Sequence, residues 1–101
     1  MKKLDNFLNC LTVLKNADFQ LADNNEIYRT GVIGQFNLTF ELAWKALQEL
    51  LKMHGVKEAD TGSPREILQL GYKSGFVDDP AFSVLAKTLQ SKLKEVESDW
   101  D

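Results

Sequence analysis

Apolar residues recur every three or four positions along most of the chain, which is the spacing of amphipathic helices. The first stripe predicts a helix over about residues 3–20, followed by a connection rich in turn-forming residues at 22–25. No segment shows sustained strict alternation, so we expect no β-sheet. The apolar positions of the first stripe are Leu4, Phe7, Leu8, Leu11, Leu14 and Ala17.

A second and longer helix is predicted over about residues 26–54, and it carries two sets of apolar positions. One set follows the alternating steps of three and four that form the seam of a helical bundle. The other set must also be buried, either by a helix of the same chain or by a second subunit. Gly31 and Gly34 either weaken the start of this helix or allow a neighbouring helix to approach closely. The seam comprises Ile33, Phe36, Phe40, Ala43, Leu47 and Leu50, and the second set comprises Val32, Leu38, Leu42, Trp44 and Leu51.

A compact start signal marks the third predicted helix. Ser63 is suited to be the N-cap, Pro64 the first helical residue and Glu66 the third, so serine and glutamate can satisfy free backbone N–H groups reciprocally. This helix is expected to run to about Lys73 and to end at Gly75.

The pair Asp79–Pro80 predicts the start of a fourth helix. The loops between the predicted helices hold roughly four to eight residues, which suits antiparallel neighbours. We therefore expect a single domain over residues 1–101, an all-α, antiparallel, up-and-down bundle of four or five helices. The fourth stripe comprises Phe82, Leu85, Leu89, Leu93, Val96 and Trp100.

Composition narrows the function classes. The chain has 101 residues, of which 44% are apolar and 27% charged, and a net charge of −3, so nucleic-acid binding is disfavoured. Its single cysteine, Cys10, excludes an intrachain disulfide and fits a reducing cytoplasm. No apolar run approaches the roughly 20 residues that span a bilayer. The start of the chain lacks the apolar stretch of a signal peptide.

Several residues could carry chemistry, and each also has a structural interpretation. His54 is the only histidine, so a multi-histidine zinc site is excluded and a helix-end contact is favoured. Arg65 lies in the first turn of a helix, where the dipole disfavours a cation. This placement is compatible with a structural ion pair or with binding of a carboxylate or phosphate. No nucleophile, phosphate loop or metal site is predicted, and hence no cofactor.

The middle of the long helix holds the remaining candidates. Glu41 and Lys45 are four residues apart in the order that favours a surface ion pair, and they could instead rim a pocket or an interface. Phe36, Phe40 and Trp44 form an aromatic ladder that is either core or, if exposed, a binding surface. Trp44 is the best candidate for a strong interface contact.

These residues together resemble the nucleotidyltransferase substrate-binding protein family, small helical-bundle proteins related to the HEPN superfamily. The resemblance covers about half of the chain firmly and the first helix loosely. It implies a bundle of four or five helices that forms a homodimer. It also implies a separate minimal nucleotidyltransferase as partner, often encoded beside it and discussed as a toxin–antitoxin pair. The residues that carry the resemblance are Phe36, residues 40–45, Gly55, residues 63–66, Gly71, Gly75, Phe76 and Asp78.

The resemblance does not extend to the catalytic motif of HEPN ribonucleases, an arginine with a histidine several positions later on the last helix. No arginine follows Arg65 and no histidine follows His54. Residues 85–92 stand where that motif would be expected, so we assign no catalytic residue.

The sequence thus predicts a non-catalytic binding module that docks on a nucleotidyltransferase, with any nucleotide held by that partner. The alternatives are a divergent HEPN-like ribonuclease toxin and an orphan homodimer without a partner. We expect the partner or its substrate to contact Phe40, Glu41, Trp44, Lys45 and Arg65.

Overall fold

The computed structural model describes residues 1–98, and over that range the chain is an all-α bundle without strands, as predicted. A 3₁₀ segment at Lys57–Asp60 lies between the third and fourth helices. Trp100, which was assigned to the last stripe, lies outside the described residues. The helices are α1 (Lys2–Lys15), α2 (Phe19–Asn24), α3 (Glu26–Met53), α4 (Pro64–Lys73) and α5 (Phe82–Ser98).

The predicted first helix is in fact two helices, because α1 ends at Lys15 and most of the predicted connection at 22–25 belongs to α2. Asp18 caps the new helix, since its carboxylate accepts the N–H of Leu21 at 3.0 Å. The hydroxyl of Tyr28 in turn accepts the N–H of Asp18 at 2.8 Å. The side chain of Asp18 and this contact from α3 explain the break that apolar spacing alone does not indicate.

The long helix α3 is the centre of the bundle. Helix α1 runs antiparallel to it, because Gln35 donates to the carbonyl of Cys10 at one end and Lys3 pairs with Glu49 at 3.4 Å at the other. Helix α5 runs in the same direction as α3. Near the start of α5, the aromatic ring of Phe82 lies 5.2 Å from that of Phe36. Lys92, ten residues after Phe82, contacts His54 at the C-terminal end of α3. These directions fit an up-and-down bundle.

The start signal of α4 and the stop signals of α3 and α4 act where the sequence places them, whereas α5 begins at Phe82, two residues after the proline of the predicted Asp79–Pro80 start. The Ser63 hydroxyl accepts the N–H of Glu66 at 3.2 Å, and the Glu66 carboxylate accepts the N–H of Ser63 at 3.4 Å, which completes the capping box. Helix α3 ends just before Gly55 and helix α4 just before Gly75, where φ is +85° and +76°.

The core is densest where α3 meets α1, α4 and α5. Leu47, Leu50 and Leu51 on α3 are fully buried together with Phe7 of α1. Packing around α4 is tight at Gly71, where the Cβ atom of any larger residue would lie only 2.9 Å from Cγ2 of Val77. Phe7, Leu47, Leu50 and Leu51 all belong to predicted apolar sets.

Only part of the predicted seam of α3 is core. Ala43, Leu47 and Leu50 are buried, whereas Ile33 and Phe36 are 55% and 51% exposed. The two ends of the seam differ in burial because α4 is much shorter than α3. Helix α3 has 28 residues and is about 42 Å long, whereas α4 has 10 residues and is about 15 Å long. Helix α4 therefore covers one end of α3 only. We call residues 26–40 of α3, at the other end, the arm.

Candidate partner-binding surface

The five candidate residues occupy two places on the bundle. Four of them lie within two turns in the middle of α3, and Arg65 lies in the first turn of α4. Phe40 and Trp44 are half-buried, four residues apart and on the same side of α3, while Glu41, Lys45 and Arg65 are exposed. The structure thus forms a ridge of aromatic and charged side chains on α3 and a separate cation on α4.

Glu41 and Lys45 form the surface ion pair that their spacing predicts. Their charged atoms lie 3.8 Å apart, and the two side chains are 50% and 48% exposed. A pair this exposed contributes only a few tenths of a kcal/mol. The Lys45 ammonium also lies 5.9 Å from the centre of the Trp44 ring, near the outer limit of a cation–π contact. Both charges are therefore available to a partner at small cost to the fold.

Trp44 packs its ring against the edge of the core, but its polar atom is unsatisfied. The indole Nε1 is shielded from solvent and has no acceptor within residues 1–98. Buried indole N–H groups usually have a partner, because a buried donor without an acceptor costs about 1–3 kcal/mol. Trp44 therefore combines apolar contact area with a donor that the chain itself does not use.

Arg65 is likewise unpaired by the described part of the chain, where no carboxylate or carbonyl accepts from it. Its neighbour Glu66 is bonded instead to Ser63 in the capping box. The structural ion pair considered for Arg65 is thus not formed within residues 1–98. The guanidinium is held at the start of α4, where an acidic or phosphate-bearing partner can reach it.

His54 has a structural role at the junction of α3 and α5. Its Nε2–H donates to the carbonyl oxygen of Lys92 at 3.0 Å, which requires the proton on that nitrogen. The edge of its ring meets Phe76 with centroids 4.9 Å apart, and the Lys92 ammonium lies 4.8 Å from the same phenyl ring. Within residues 1–98, no cluster of three or more potential ligands could hold a metal ion.

One surface was missed by sequence reasoning. An open apolar groove of about 650 Å³ lies between the end of α1 and the start of α3. Val13 and Ile27 are 59% and 87% exposed, and neither belongs to a predicted stripe. Apolar residues that fit no predicted stripe, such as Val13 and Ile27, could have indicated this groove from the sequence. The groove is lined chiefly by Val13, Ala17, Ile27, Tyr28, Gly31 and Val32.

Comparison with known protein families identifies the family to which this helical bundle belongs. A family model described as nucleotidyltransferase substrate binding protein like matches residues 2–94, from the start of α1 into α5. The chain belongs to this family. The resemblance noted around Trp44 and Ser63 is thereby confirmed, and this nucleotidyltransferase substrate-binding-like chain matches the family over nearly its whole length. No curated protein and no solved structure matches it. In the part of the chain that the structure describes, no helix is long and apolar enough to cross a membrane.

Proposed function

We propose that this chain is a non-catalytic, homodimeric binding module that docks on a separate small nucleotidyltransferase and helps to hold that enzyme's substrate. The family match over residues 2–94 is the observation that carries the proposal. In this arrangement the partner enzyme carries the nucleotide and its chemistry, as in a toxin–antitoxin-like pair. The bundle supplies the surface that contacts the enzyme and its substrate.

We assign the docking surface to the ridge on α3 and to Arg65. The ridge offers two half-buried aromatic rings, Phe40 and Trp44, beside one charge of each sign. Aromatic and arginine side chains contribute most to interface energy in protein complexes. Arg65 adds a cation that no described residue neutralises, which suits a carboxylate on the enzyme or a phosphate of its substrate.

No observation favours the ribonuclease alternative. The only histidine is bonded to a helix carbonyl and to a phenyl ring, and in residues 85–92 the side chains of Leu85, Ala86 and Leu89 are buried in the core. These contacts account for the histidine and the segment without a catalytic role.

The first test is affinity capture from lysate of the source organism with the tagged chain. We expect recovery of a small nucleotidyltransferase. With the purified pair, Arg65→Ala should weaken binding about tenfold or more, or ~1.4 kcal/mol, if Arg65 is a main contact. Lys73→Ala is the matched control, because Lys73 is an exposed cation in the last turn of the same helix.

Two results would contradict the proposal at different levels. A folded chain that captures no nucleotidyltransferase would point to an orphan protein. An enzyme that is captured but binds the Arg65→Ala and Lys73→Ala variants equally well would remove Arg65 from the docking surface and leave the partnership standing.

A further inference from the structure

One face of the arm has no helix packed along it within residues 1–98, although α1 bonds to the arm through Gln35 and α2 bonds to it through Arg29. Along the seam, Leu47 is covered by α4, which contacts it at Gly71, and that helix ends before it reaches the arm. Ile33 and Phe36 lie within about 40° of Leu47 around the helix axis, counting 100° per residue. They therefore continue the same apolar seam beyond α4, where Phe36 meets the ring of Phe82 at the start of α5, and each is more than half exposed.

The arm also carries no charge over its last eleven residues, from Thr30 to Phe40, although 27% of the chain is charged. A half-exposed helix on a monomeric protein normally carries charge on its solvent face. Depletion of charge is instead characteristic of the buried centre of an interface. An acidic or basic partner would find no complementary group here, so the arm suits an equally apolar and uncharged surface.

The size of the exposed surface reflects the shape of the chain. The accessible surface is 6664 Å², whereas a folded monomer of 11.5 kDa exposes about 5800 Å² by the usual scaling with mass. The radius of gyration is 15.0 Å, against about 12.7 Å for a compact chain of this length. The chain as a whole thus exposes about 900 Å² more than a compact monomer of its mass, which agrees with its extended shape.

We propose that a second copy of this chain covers the arm, with the two arms packed antiparallel through Ile33 and Phe36. Each arm then occupies, beside the other, the place that α4 occupies at the opposite end of α3. The contact is isologous, because each copy offers and receives the same uncharged seam. This inference rests on the proposed homodimeric function and adds to it the contact surface.

The opposite side of the arm provides the matched control. Leu38 is 48% exposed, almost as much as Phe36, and lies two residues away, about 160° around the same helix. A glutamate at Phe36 would be buried in the proposed contact, whereas a glutamate at Leu38 would remain in water.

The experiment measures molar mass by light scattering coupled to size exclusion, with circular dichroism to verify helix content. We expect wild type and Leu38→Glu to have about twice the mass of the 11.5 kDa chain, and Phe36→Glu to fall to the monomer mass. A dimeric Phe36→Glu variant, or a Leu38→Glu variant that dissociates instead, would overturn the proposal.

A second variant addresses loss of folding in Phe36→Glu. In a Cys10→Ser background, Phe36→Cys should form a disulfide-linked dimer under mild oxidation, and Leu38→Cys should not. Preferential linkage through Leu38→Cys would place the contact on the other side and refute the proposal.

Nucleotidyltransferase binding by the same variants separates this inference from the proposed function. A wild-type dimer that is linked through Phe36→Cys but binds no such enzyme would refute the proposed function alone. A wild-type monomer that binds the enzyme would refute the arm contact and the homodimeric part of the proposed function, and would leave the enzyme partnership standing.

Discussion

Gly71 shows how closely α4 is seated on α3. An added Cβ would lie 2.9 Å from Cγ2 of Val77 and 3.1 Å from Cδ2 of Leu47, and both side chains are buried. We expect Gly71→Ala to lower the free energy of unfolding by about 1 kcal/mol or more, because overpacking outweighs the gain in helix propensity. Denaturant unfolding measures the change.

Gly34→Ala is the matched control for this prediction. Gly34 also lies inside a helix, but nothing lies within 4 Å of its added Cβ. This variant should be more stable than wild type by about 0.5–1 kcal/mol. A stabilised Gly71→Ala variant would show that the α3–α4 contact is looser than the structure indicates.

Trp44 offers a test of the unused donor on the ridge. Trp44→Phe keeps an aromatic ring and removes the Nε1–H that has no acceptor within residues 1–98. We expect the free energy of unfolding to change by less than about 1 kcal/mol, because no hydrogen bond is lost in the free protein. Affinity for the nucleotidyltransferase should fall several-fold if the indole turns toward an acceptor on that partner.

Calorimetric titration of the enzyme against both proteins measures the effect. Equal affinities would show that the N–H group is not used, and Trp44→Ala would then report the contribution of the ring alone. Unchanged binding of a folded Trp44→Ala variant would remove Trp44 from the docking surface.

At the scale of elements, α2 is bonded to α3 at both ends, by Tyr28 at its N-cap and by Arg29 at its last turn. Arg29 donates to the carbonyls of Ala22 and Asp23 at 2.8 and 2.7 Å, in the last turn of α2. A helix of six residues is too short to be stable by itself. We expect Arg29→Met to free α2, with faster amide exchange over residues 19–25 and a loss of about 1 kcal/mol in stability.

The control for Arg29→Met is Lys15→Met, which removes an exposed cation from the last turn of α1. Its exchange rates in α2 should match those of wild type. Protection of α2 that survives Arg29→Met would mean that the Asp18 cap and the buried Ala22 suffice to hold it.

Sequence reasoning succeeded where the cause of a structure is local. The capping box at Ser63, the stops at Gly55 and Gly75, and the Glu41–Lys45 pair all follow from residues a few positions apart. The break after Lys15 was missed, because apolar spacing continues through it and the Tyr28 contact is ten residues away.

Burial was harder to predict than helix position. A pattern shows which residues are apolar but not what covers them, so Ile33 and Phe36 were placed in one seam with Leu47, although only Leu47 is buried. The unequal predicted lengths of the second and third helices already indicated that one end of the seam would lack a neighbour. At the candidate site, the unsatisfied indole of Trp44 and the unpaired Arg65 depend on tertiary placement and had no signal in the sequence.

At the scale of the whole molecule, the arm contact that we propose would link stability to concentration. If folding and pairing are coupled, the unfolding midpoint should rise with protein concentration, by about 1.4 kcal/mol of stability for each tenfold increase. Thermal melts over a dilution series measure this dependence. The midpoint of Phe36→Glu should not change with dilution, and a wild-type midpoint that is equally constant would contradict the coupling.

The shortness of α4 has a consequence for the life of the chain in a cell. A newly made copy that has not met another presents an uncovered apolar helix end, and such surfaces are recognised by chaperones and proteases. Survival of the chain then rises with its own abundance, so that scarce copies are removed and only a population above a threshold accumulates. Under the proposed arm contact, a helix of 10 residues beside one of 28 would thereby make protein turnover sensitive to expression level.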